Sequence, residues 1–486
     1  MNAGLQLEMN FDHGINRFQN CLDNGVFSLL VETGAPALDT ELEHAAERLK
    51  NLEAAASAVS VLPTSLAITD KYLYYDCWNI CDFISALPSE RRDRHVVYLS
   101  GFGTSPDQLL ETANICVAKG FRNLVPVSGN IRPGDQEADV RGRDYTESVT
   151  LLKLLRNQNN ARIFSGTAVN PFKYTKDACF GNYYKLIKKL NMGAGFMVTH
   201  LGWDLAKLQE LRWYLSSRGM YYPAIARLWM LTQDKMEKIL RGEMPGVVLP
   251  GSLRKILEAE FRYSSTQFEA AQWRRLQLYA AGCKLLGFSG IQVAGIDTPE
   301  KLNIAVQRIA AGLHEFDTFY QWRAAYREHL GQIDLSPYPY SFYVFEKLLS
   351  NQHPQGEFPQ MRVAKTPVPG IGEKIGDFLR RFMFFQANNQ APNERYILKK
   401  LMAGCHACSA CRLPQTMYIC PEKCPKGLAN GPCGGTRPGG GCELSTVREC
   451  VHLRIARHAI LRNEADMLED DFVFQSTLRN KKNGVE

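Results

Sequence analysis

The sequence lacks any long apolar run. No stretch of its 486 residues approaches the about 18 to 20 consecutive apolar residues that a membrane-spanning helix needs. The first residues, 1–13, contain Glu8 and Asp12 and do not show the basic-then-apolar pattern of a secretory signal. We therefore predict a cytoplasmic protein without a membrane partner.

A strong excess of one charge is also missing. The chain has 57 Lys and Arg against 50 Asp and Glu, a net charge of +7, and the two signs are interleaved nearly throughout. A dedicated nucleic-acid binder carries a dense basic stripe, so we expect no nucleic-acid partner. With 45% hydrophobic residues the chain can bury a sizeable core, which excludes wholesale disorder.

Several common catalytic and nucleotide-binding motifs are absent. The chain has no Walker sequence, no Gly-x-Ser-x-Gly elbow and no His-Glu-x-x-His. The glycines of residues 370–376 resemble a phosphate loop, but no predicted strand precedes them and the third glycine is misplaced. A nicotinamide cofactor, if used, is therefore not held by a separate Rossmann domain.

Cysteine is abundant in one place. Eight of the 14 cysteines lie in one short segment, at Cys405, Cys408, Cys411, Cys420, Cys424, Cys433, Cys442 and Cys450. In a long chain without a secretory signal, such density indicates metal binding rather than disulfides. Two-residue spacing lets thiolates from one turn share a centre, as in zinc and iron–sulfur sites. We predict these eight residues as ligands of an iron–sulfur cluster, of zinc or of both, as a structural or an electron-transfer centre.

Short apolar segments alternate with segments of helical periodicity from residue 26 to about 313. The predicted strands are Val26–Glu32, Ala58–Leu62, His95–Ser100, Asn123–Ser128, Arg162–Thr167, Gly195–His200, Tyr221–Arg227 and Gly290–Ala294. Eight such units, each apolar on both faces, predict an α/β fold of the (β/α)8 TIM-barrel type. A doubly wound open sheet is the structural alternative.

Three regions follow from this pattern. We assign residues 1–320 to the barrel, 321–375 to a connector rich in Pro and aromatic residues, and 376–486 to a smaller cysteine-rich metal-binding domain.

Barrel active sites lie at the carboxyl ends of the strands. Glu32 ends an otherwise apolar run, where a carboxylate is costly to bury unless it is used or paired. It is either catalytic or part of a structural ion pair with a residue such as Arg227. His200 ends strand six and is either a ligand-binding or a hydrogen-bonded structural histidine. Gly129 would let the backbone approach a ligand closely.

The cysteine segment resembles the C-terminal domain attached to some methylenetetrahydrofolate reductases. The resemblance rests on residues 420–435, on Gly441-Cys-Glu443 and on Cys450. In acetogenic bacteria a similar domain is a separate metal-containing subunit. The barrel resembles the catalytic domain of the same family at Glu32 and in residues 120–130, 195–204, 245–250 and 287–292.

This resemblance implies an oxidoreductase that reduces methylenetetrahydrofolate to methyltetrahydrofolate by hydride transfer from FAD in the barrel mouth. It implies Glu32 as the general acid, and Asn130, His200 and Arg227 as residues that bind the folate substrate. It implies that the flavin is bound by Tyr98, Ser128, Gly129, Tyr145, Asn170, Asn182, Lys188 and Lys189. A ferredoxin-like or other redox protein would supply electrons through the metal domain, and a homo-oligomer is a further expectation.

Four positions depart from the family pattern. Asn130 and Asn182 stand where the family usually has aspartates, His200 replaces a glutamine, and Tyr98 replaces a histidine. Asparagine can hydrogen-bond a pterin but cannot supply a negative charge. The alternative hypothesis is therefore a flavin-free protein that binds folate or another one-carbon carrier, or a methyl-transfer subunit, with a structural zinc site.

Overall fold

The structure is a computed structural model of the chain. It describes residues 16–158, 162–331, 342–345, 348–349, 370–385, 396–406, 408, 411–437, 439–470 and 472–475. Within this part of the chain, no helix is long and apolar enough to cross a membrane.

Eight parallel strands close into a barrel in chain order, which confirms the predicted (β/α)8 fold. The strands are β1 (Ser28–Gly34), β2 (Thr64–Thr69), β3 (Val96–Ser100), β4 (Asn123–Val127), β5 (Phe164–Val169), β6 (Phe196–Leu201), β7 (Ala224–Trp229) and β8 (Gly290–Ala294). Strand β1 pairs with both β2 and β8, so Glu32 lies beside Ala67 on one side and Ala294 on the other. A two-stranded antiparallel ribbon follows in the cysteine-rich part, from β9 (Gly441–Cys442) and β10 (Ser445–Glu449).

The helices surround this barrel and continue beyond it. Those up to residue 329 are α1 (Arg17–Asp23), α2 (Leu42–Ala58), α3 (Ile80–Ile84), α4 (Pro106–Ala118), α5 (Glu137–Gly142), α6 (Ser148–Asn157), α7 (Lys176–Asn191), α8 (Leu205–Ser216), α9 (Gln233–Leu240), α10 (Gly251–Tyr263), α11 (Ser265–Leu285), α12 (Pro299–Glu315) and α13 (Phe319–His329). The later ones are α14 (Ile371–Phe384), α15 (Tyr396–Ala403), α16 (Val451–Leu461) and α17 (Met467–Asp470).

The predicted position of the second strand was wrong. Helix α2 extends to Ala58, and the second strand begins only at Thr64, after Pro63. The apolar residues of 58–62 suggested a strand, but Val61 is 71% exposed, whereas Leu66 in β2 is fully buried. The other seven predicted strands overlap the observed ones. The shift moves the carboxyl end of strand two to Thr69 and Asp70.

The barrel interior is closed at its amino-terminal end by α1. Phe18 packs edge-on against Phe196 with ring centroids 5.2 Å apart, and Leu22 is buried in the same cluster. Phe196 is the first residue of β6, so α1 covers the amino-terminal ends of the strands. The carboxyl ends, where barrel active sites lie, are not covered by this helix.

Residues after the barrel pack onto it as well. Trp322 of α13 is fully buried against α11, and its indole N–H donates to the carbonyl of Leu278 at 2.8 Å. Phe342 and Phe345 are buried in the main core. The rest of the predicted connector, 321–375, lies largely outside the described residues.

The cysteine-rich part docks on the barrel through buried polar groups. Glu147, at the start of α6, is fully buried and accepts hydrogen bonds from the backbone N–H groups of Ala429 and Asn430. The ammonium of Lys185 lies 2.7 Å from the same carboxylate. Burial acts to raise the pKa of Glu147, but Lys185 and the hydrogen bonds outweigh it and lower the pKa to about 2.

We predict that Glu147→Gln destabilises the docked domain. The carboxylate stabilises the fold above its ordinary pKa of 4.5, and this contribution is lost as the pH falls toward 2. The pKa shift corresponds to about 3 kcal/mol at pH 7, to be measured by urea unfolding. The exposed Glu43→Gln serves as the matched control. Equal stability of the two variants at pH 7 would contradict this account of Glu147.

Candidate functional site

A cavity of about 230 Å³ lies at the carboxyl ends of the barrel strands. Of the residues predicted for substrate or cofactor, those in its lining are Tyr98, Ser128, Gly129, Asn130, Asn170, Asn182, Lys189, His200 and Arg227. The cysteine-rich part contributes Pro432, Cys433 and Gly434 to the same wall. The site is therefore built jointly by the barrel and the cysteine-rich part.

Glu32 is not among the lining residues but is bonded to one of them. The guanidinium of Arg227 donates to both carboxylate oxygens of Glu32, with Nε at 2.6 Å from Oε2. The amide of Gln292 also donates to Glu32 at 2.7 Å, and the hydroxyl of Tyr98 donates to Gln292 at 2.7 Å. The structure thus has the ion pair that was one of the two readings of Glu32. For Glu32 to deliver a proton, this pair would have to open.

His200 faces the cavity as a neutral ring. Burial is the main cause that lowers its pKa to about 3, and the positive charges of Arg227 and Lys173 add to it. Its Nδ1 makes no hydrogen bond within the described part of the chain. A neutral imidazole with a free ring nitrogen can donate to or accept from a heterocyclic ligand.

Asp70 is the acidic group of the cavity that the sequence reasoning missed. It directly follows β2, is buried, and accepts a hydrogen bond from the backbone N–H of Ser100 at 2.7 Å. Burial raises its pKa to about 6, although the hydrogen bond from Ser100 and the charge of Lys71 oppose the shift. The sequence signal was an acidic residue just after residues 65–69, a segment with the apolar centre Leu66-Ala-Ile68. This signal was missed because the second strand was predicted too early in the chain.

Basic and amide side chains of the barrel bind the backbone of the cysteine-rich part. Asn170 donates to the carbonyl of Gly434 at 2.8 Å, and Lys173 donates to the carbonyls of Gly434 and Thr436 at 3.1 and 2.7 Å. Gly246 has a positive φ of 73°, and a Cβ there would lie 2.0 Å from the Gly434 oxygen. Residues 431–434 therefore form a close-fitting cap over the barrel mouth.

A second clamp fixes the loop after β4. Lys426 donates to the carbonyl of Gly129 at 2.7 Å and to the carboxylate of Glu443 at 2.6 Å. Glu443 in turn accepts from the backbone N–H of Ile131 at 2.6 Å. Both side chains are nearly fully buried, so Asn130 is held at the cavity edge by groups from the cysteine-rich part.

Several side chains predicted to bind FAD form hydrogen bonds within the chain instead. The ammonium of Lys189 donates to the carbonyl of Ala168 at 2.6 Å, and Asn182 donates to the carbonyl of Ala178 at 2.9 Å. Asn170 also uses its donor within the chain, because it binds the cap. The cavity is also below the about 300–1,000 Å³ of ordinary small-molecule sites. The described arrangement does not fit a flavin dinucleotide.

Two residues predicted for the flavin lie outside the cavity lining. Tyr145 packs edge-on against Phe102 at 5.6 Å and lies under the ammonium of Lys426 at 5.4 Å. Lys188 lies 5.7 Å from the ring centroid of Tyr184. Both therefore contribute to packing between elements in this structure.

None of the eight clustered cysteines takes part in a disulfide in the described part of the chain. Burial raises the pKa of Cys450 well above its ordinary value, and the neighbouring thiols of Cys433, Cys424 and Cys442 raise it further. These four sulfurs therefore lie in one neighbourhood.

The remaining clustered cysteines form a second neighbourhood. Burial raises the pKa of Cys420 to about 12, and the nearby thiols of Cys405 and Cys408 add to the shift. Cys411 packs in the same apolar cluster as Cys420. In the described residues, however, no three His, Cys, Asp or Glu side chains are placed to hold one metal ion. The donor chemistry fits thiolate-bound metal, while the present spacing does not.

Comparison with known proteins relates the cysteine-rich part to one family. No curated protein matches the chain. Among solved structures, an uncharacterized protein from Clostridium thermocellum that binds two copies of 5-methyl-5,6,7,8-tetrahydrofolic acid has a TM-score of 0.42 and 13% identity. That match covers 62% of this chain and 100% of the other. Residues 385–476, which include the cap over the barrel mouth, match the family described as Methylene-tetrahydrofolate reductase C terminal.

Proposed function

We propose that this chain is a methylenetetrahydrofolate reductase-like enzyme that binds a tetrahydrofolate one-carbon carrier in the barrel-mouth cavity. One observation carries the proposal: residues of a segment that matches the C-terminal family of such reductases form a wall of that cavity. The position at the carboxyl ends of the strands supports it, because barrel enzymes place their chemistry there.

The cavity offers the groups that a reduced pterin needs. A pterin ring presents several ring and exocyclic nitrogens and one carbonyl, which pair with neutral donors and acceptors. Asn130 and His200 supply such neutral groups in the cavity lining. His200 stays neutral because its pKa is about 3. Carrier binding should therefore involve no charge change at this ring near neutral pH.

Asp70 is the best-placed proton donor. The conversion of a methylene to a methyl carrier takes up two electrons and two protons, and the electrons must come from a separate donor. A side chain whose pKa is near the working pH exchanges protons efficiently. Asp70, with its pKa of about 6, meets this condition inside the cavity, whereas Glu32 is held by Arg227.

A specific observation favours a second candidate function. Asn170 and Lys173 donate their hydrogen bonds to backbone carbonyls of the cysteine-rich part. The cavity, at about 230 Å³, is too small for FAD. A flavin-free protein that binds the carrier, or delivers it to another enzyme, would need only the pterin contacts. The two functions share carrier binding and differ in whether the carrier is reduced.

We predict that His200→Ala lowers the affinity for 5-methyltetrahydrofolate by about tenfold, the equivalent of one lost hydrogen bond to a ring nitrogen. Isothermal titration calorimetry of the full chain measures the affinity, and exposed His44→Ala is the matched control. Because His200 remains neutral, the wild-type affinity should not change at the ordinary histidine pKa. Absence of binding by the wild-type protein would refute carrier binding in this cavity.

We predict that Asp70→Asn lowers turnover of methylenetetrahydrofolate at least 100-fold while affinity for the methyl carrier changes less than threefold. Wild-type turnover, assayed anaerobically with reduced methyl viologen, should fall as the pH rises through about 6, because Asp70 loses its proton there. Carrier binding without turnover by the wild-type protein would favour the second candidate. Flavin absorbance of the purified protein tests the poor fit of FAD directly.

We further propose that the two cysteine neighbourhoods each bind metal after their thiols draw together. Anaerobically purified protein should then contain zinc or iron, measured by plasma mass spectrometry, with a brown colour if the metal is an iron–sulfur cluster. Cys433→Ser and Cys420→Ser should each remove one centre, while Cys21→Ser should remove none. Wild-type protein without metal would overturn this assignment.

A further inference from the structure

Helix α7 turns one polar face toward the barrel-mouth cavity. Asn182, Lys185 and Lys189 are spaced by three and four residues, so they lie on one side of the helix, and all three are in the cavity lining. Asn182 donates to a carbonyl of its own helix, and Lys185 pairs with Glu147. Lys189 is the third member of this face, and the function proposed above does not use it.

The side chain of Lys189 reaches the cavity beside a gap in the barrel wall. Within the described strands, the ladder between β4 and β5 ends at the pair of Leu124 and Ser165. Ala168 lies farther along β5, and its carbonyl accepts a hydrogen bond from the ammonium of Lys189 at 2.6 Å. The nitrogen of Lys189 is therefore held near the carboxyl end of β5, where the cavity lies.

The surroundings of Lys189 differ from those of two other buried lysines. Lys207 and Lys426 each lie 2.6 Å from a carboxylate oxygen. Lys189 is only 8% exposed, and within the described residues it forms no ion pair. The charged groups that act on its ammonium are Lys185, one turn earlier on α7, and Glu147, which is already paired with Lys185. Burial and the charge of Lys185 lower the pKa of Lys189 to about 7, although Glu147 opposes the shift.

A lysine in such surroundings is a nucleophile toward carbonyl compounds. An ordinary lysine has less than about 0.1% of its amine in the neutral form at pH 7, whereas a pKa of about 7 makes roughly half of it neutral. Neutral lysine amines add to aldehydes and ketones to form Schiff bases, and enzymes obtain them by burying the lysine beside a second cation. Lys189 is buried beside Lys185 and lines a cavity, so it meets these conditions.

The size of the cavity and the proposed carrier point to a one-carbon aldehyde. A volume of about 230 Å³ leaves little space for a second large molecule beside a pterin. The methylene bridge of a tetrahydrofolate carrier joins one carbon to two nitrogens, and water reverses its formation to give the free carrier and formaldehyde. Formaldehyde is therefore an aldehyde that a methylene carrier brings with it and that is small enough to reach Lys189.

We propose that Lys189 forms a Schiff base with formaldehyde and exchanges this one-carbon unit with the carrier in the same cavity. The exchange rests on the proposed function for the identity of the carrier, whereas the Schiff base does not. The inference adds to the reductase-like function a second activity, the reversible condensation of formaldehyde with the free carrier.

The chemistry of this activity balances without any electron donor. The amine of Lys189 adds to the aldehyde carbon, one N–H proton moves to the oxygen, and the new hydroxyl takes up a further proton and leaves as water. The two carrier nitrogens then attack the Schiff-base carbon in turn, which forms two C–N bonds and breaks the bond to Lys189. The two N–H protons of the carrier end on Lys189, which is released as an ammonium.

The Schiff base is tested by trapping it in the full chain. The protein is incubated at pH 7 with limiting isotope-labelled formaldehyde and cyanoborohydride, which reduces a Schiff base to N-methyllysine, and peptide mass spectrometry measures each lysine. We expect Lys189 to be labelled at least tenfold faster than the exposed Lys50 and Lys255, while the buried, ion-paired Lys207 stays unlabelled. Because the pKa of Lys189 is about 7, its labelling rate should level off above this pH, whereas that of Lys50 and Lys255 should continue to rise.

The exchange is tested by forming methylenetetrahydrofolate from formaldehyde and tetrahydrofolate without any reductant. We expect the wild-type chain to accelerate this reaction at least tenfold over the rate without protein. Lys189→Arg keeps a cation and a donor for the Ala168 carbonyl but forms no Schiff base, so it should remove the acceleration. Its affinity for 5-methyltetrahydrofolate should change less than threefold, which shows that the fold persists, and the exposed Lys50→Arg is the matched control.

The outcomes separate this inference from the proposed function. If Lys189 is labelled no faster than Lys50 and Lys255, it serves only as a partner of the Ala168 carbonyl and the inference is overturned. Labelling of Lys189 in a chain that binds 5-methyltetrahydrofolate but gives no acceleration, or an acceleration that Lys189→Arg retains, overturns the exchange. Labelling of Lys189 in a chain that binds no carrier overturns the proposed function and leaves the Schiff base standing.

Discussion

The burial of Glu147 is the constraint on which the rest of the structure depends. A carboxylate without solvent is tolerated only when it is paired and fully hydrogen-bonded, and here the partners come from two parts of the chain. Lys185 comes from the barrel, and the N–H groups of Ala429 and Asn430 come from the cysteine-rich part. The cap that follows at residues 431–434 is thereby placed over the strand ends. The cavity, its small size and its mixed lining all follow from this docking.

Much of the fold could be predicted from the sequence, because the signals are local. Strands such as β3 and β8 are short apolar runs bounded by polar residues, and seven of the eight were located. The second strand was misplaced because the helix before it ends in apolar residues, and a short apolar run does not by itself distinguish a strand from a helix end. That one error concealed Asp70, since a residue's place at a strand end is known only when the strand is.

The site was harder to predict, because it depends on contacts between distant residues. The ion pair of Glu32 with Arg227 was one of two readings, and only the closed barrel brings the two residues together. No local pattern relates Asn170 or Lys173 to Gly434, more than 250 residues later. The orientation of α14 also depends on distant residues. Its amphipathic pattern is visible in the sequence, but ion pairs with Arg454, His458 and Arg462 turn its polar side inward and leave its apolar side exposed.

The close approach of Gly246 to the cap has a consequence for how this protein can diverge. Its backbone has a conformation that side chains disfavour, and the space beside it is filled by a carbonyl from the other part of the chain. Glycine is required there by the docking of two domains, since it touches no reacting group. Among related chains, loss of this glycine would therefore mark those in which the cap has shifted or the two domains have become separate proteins.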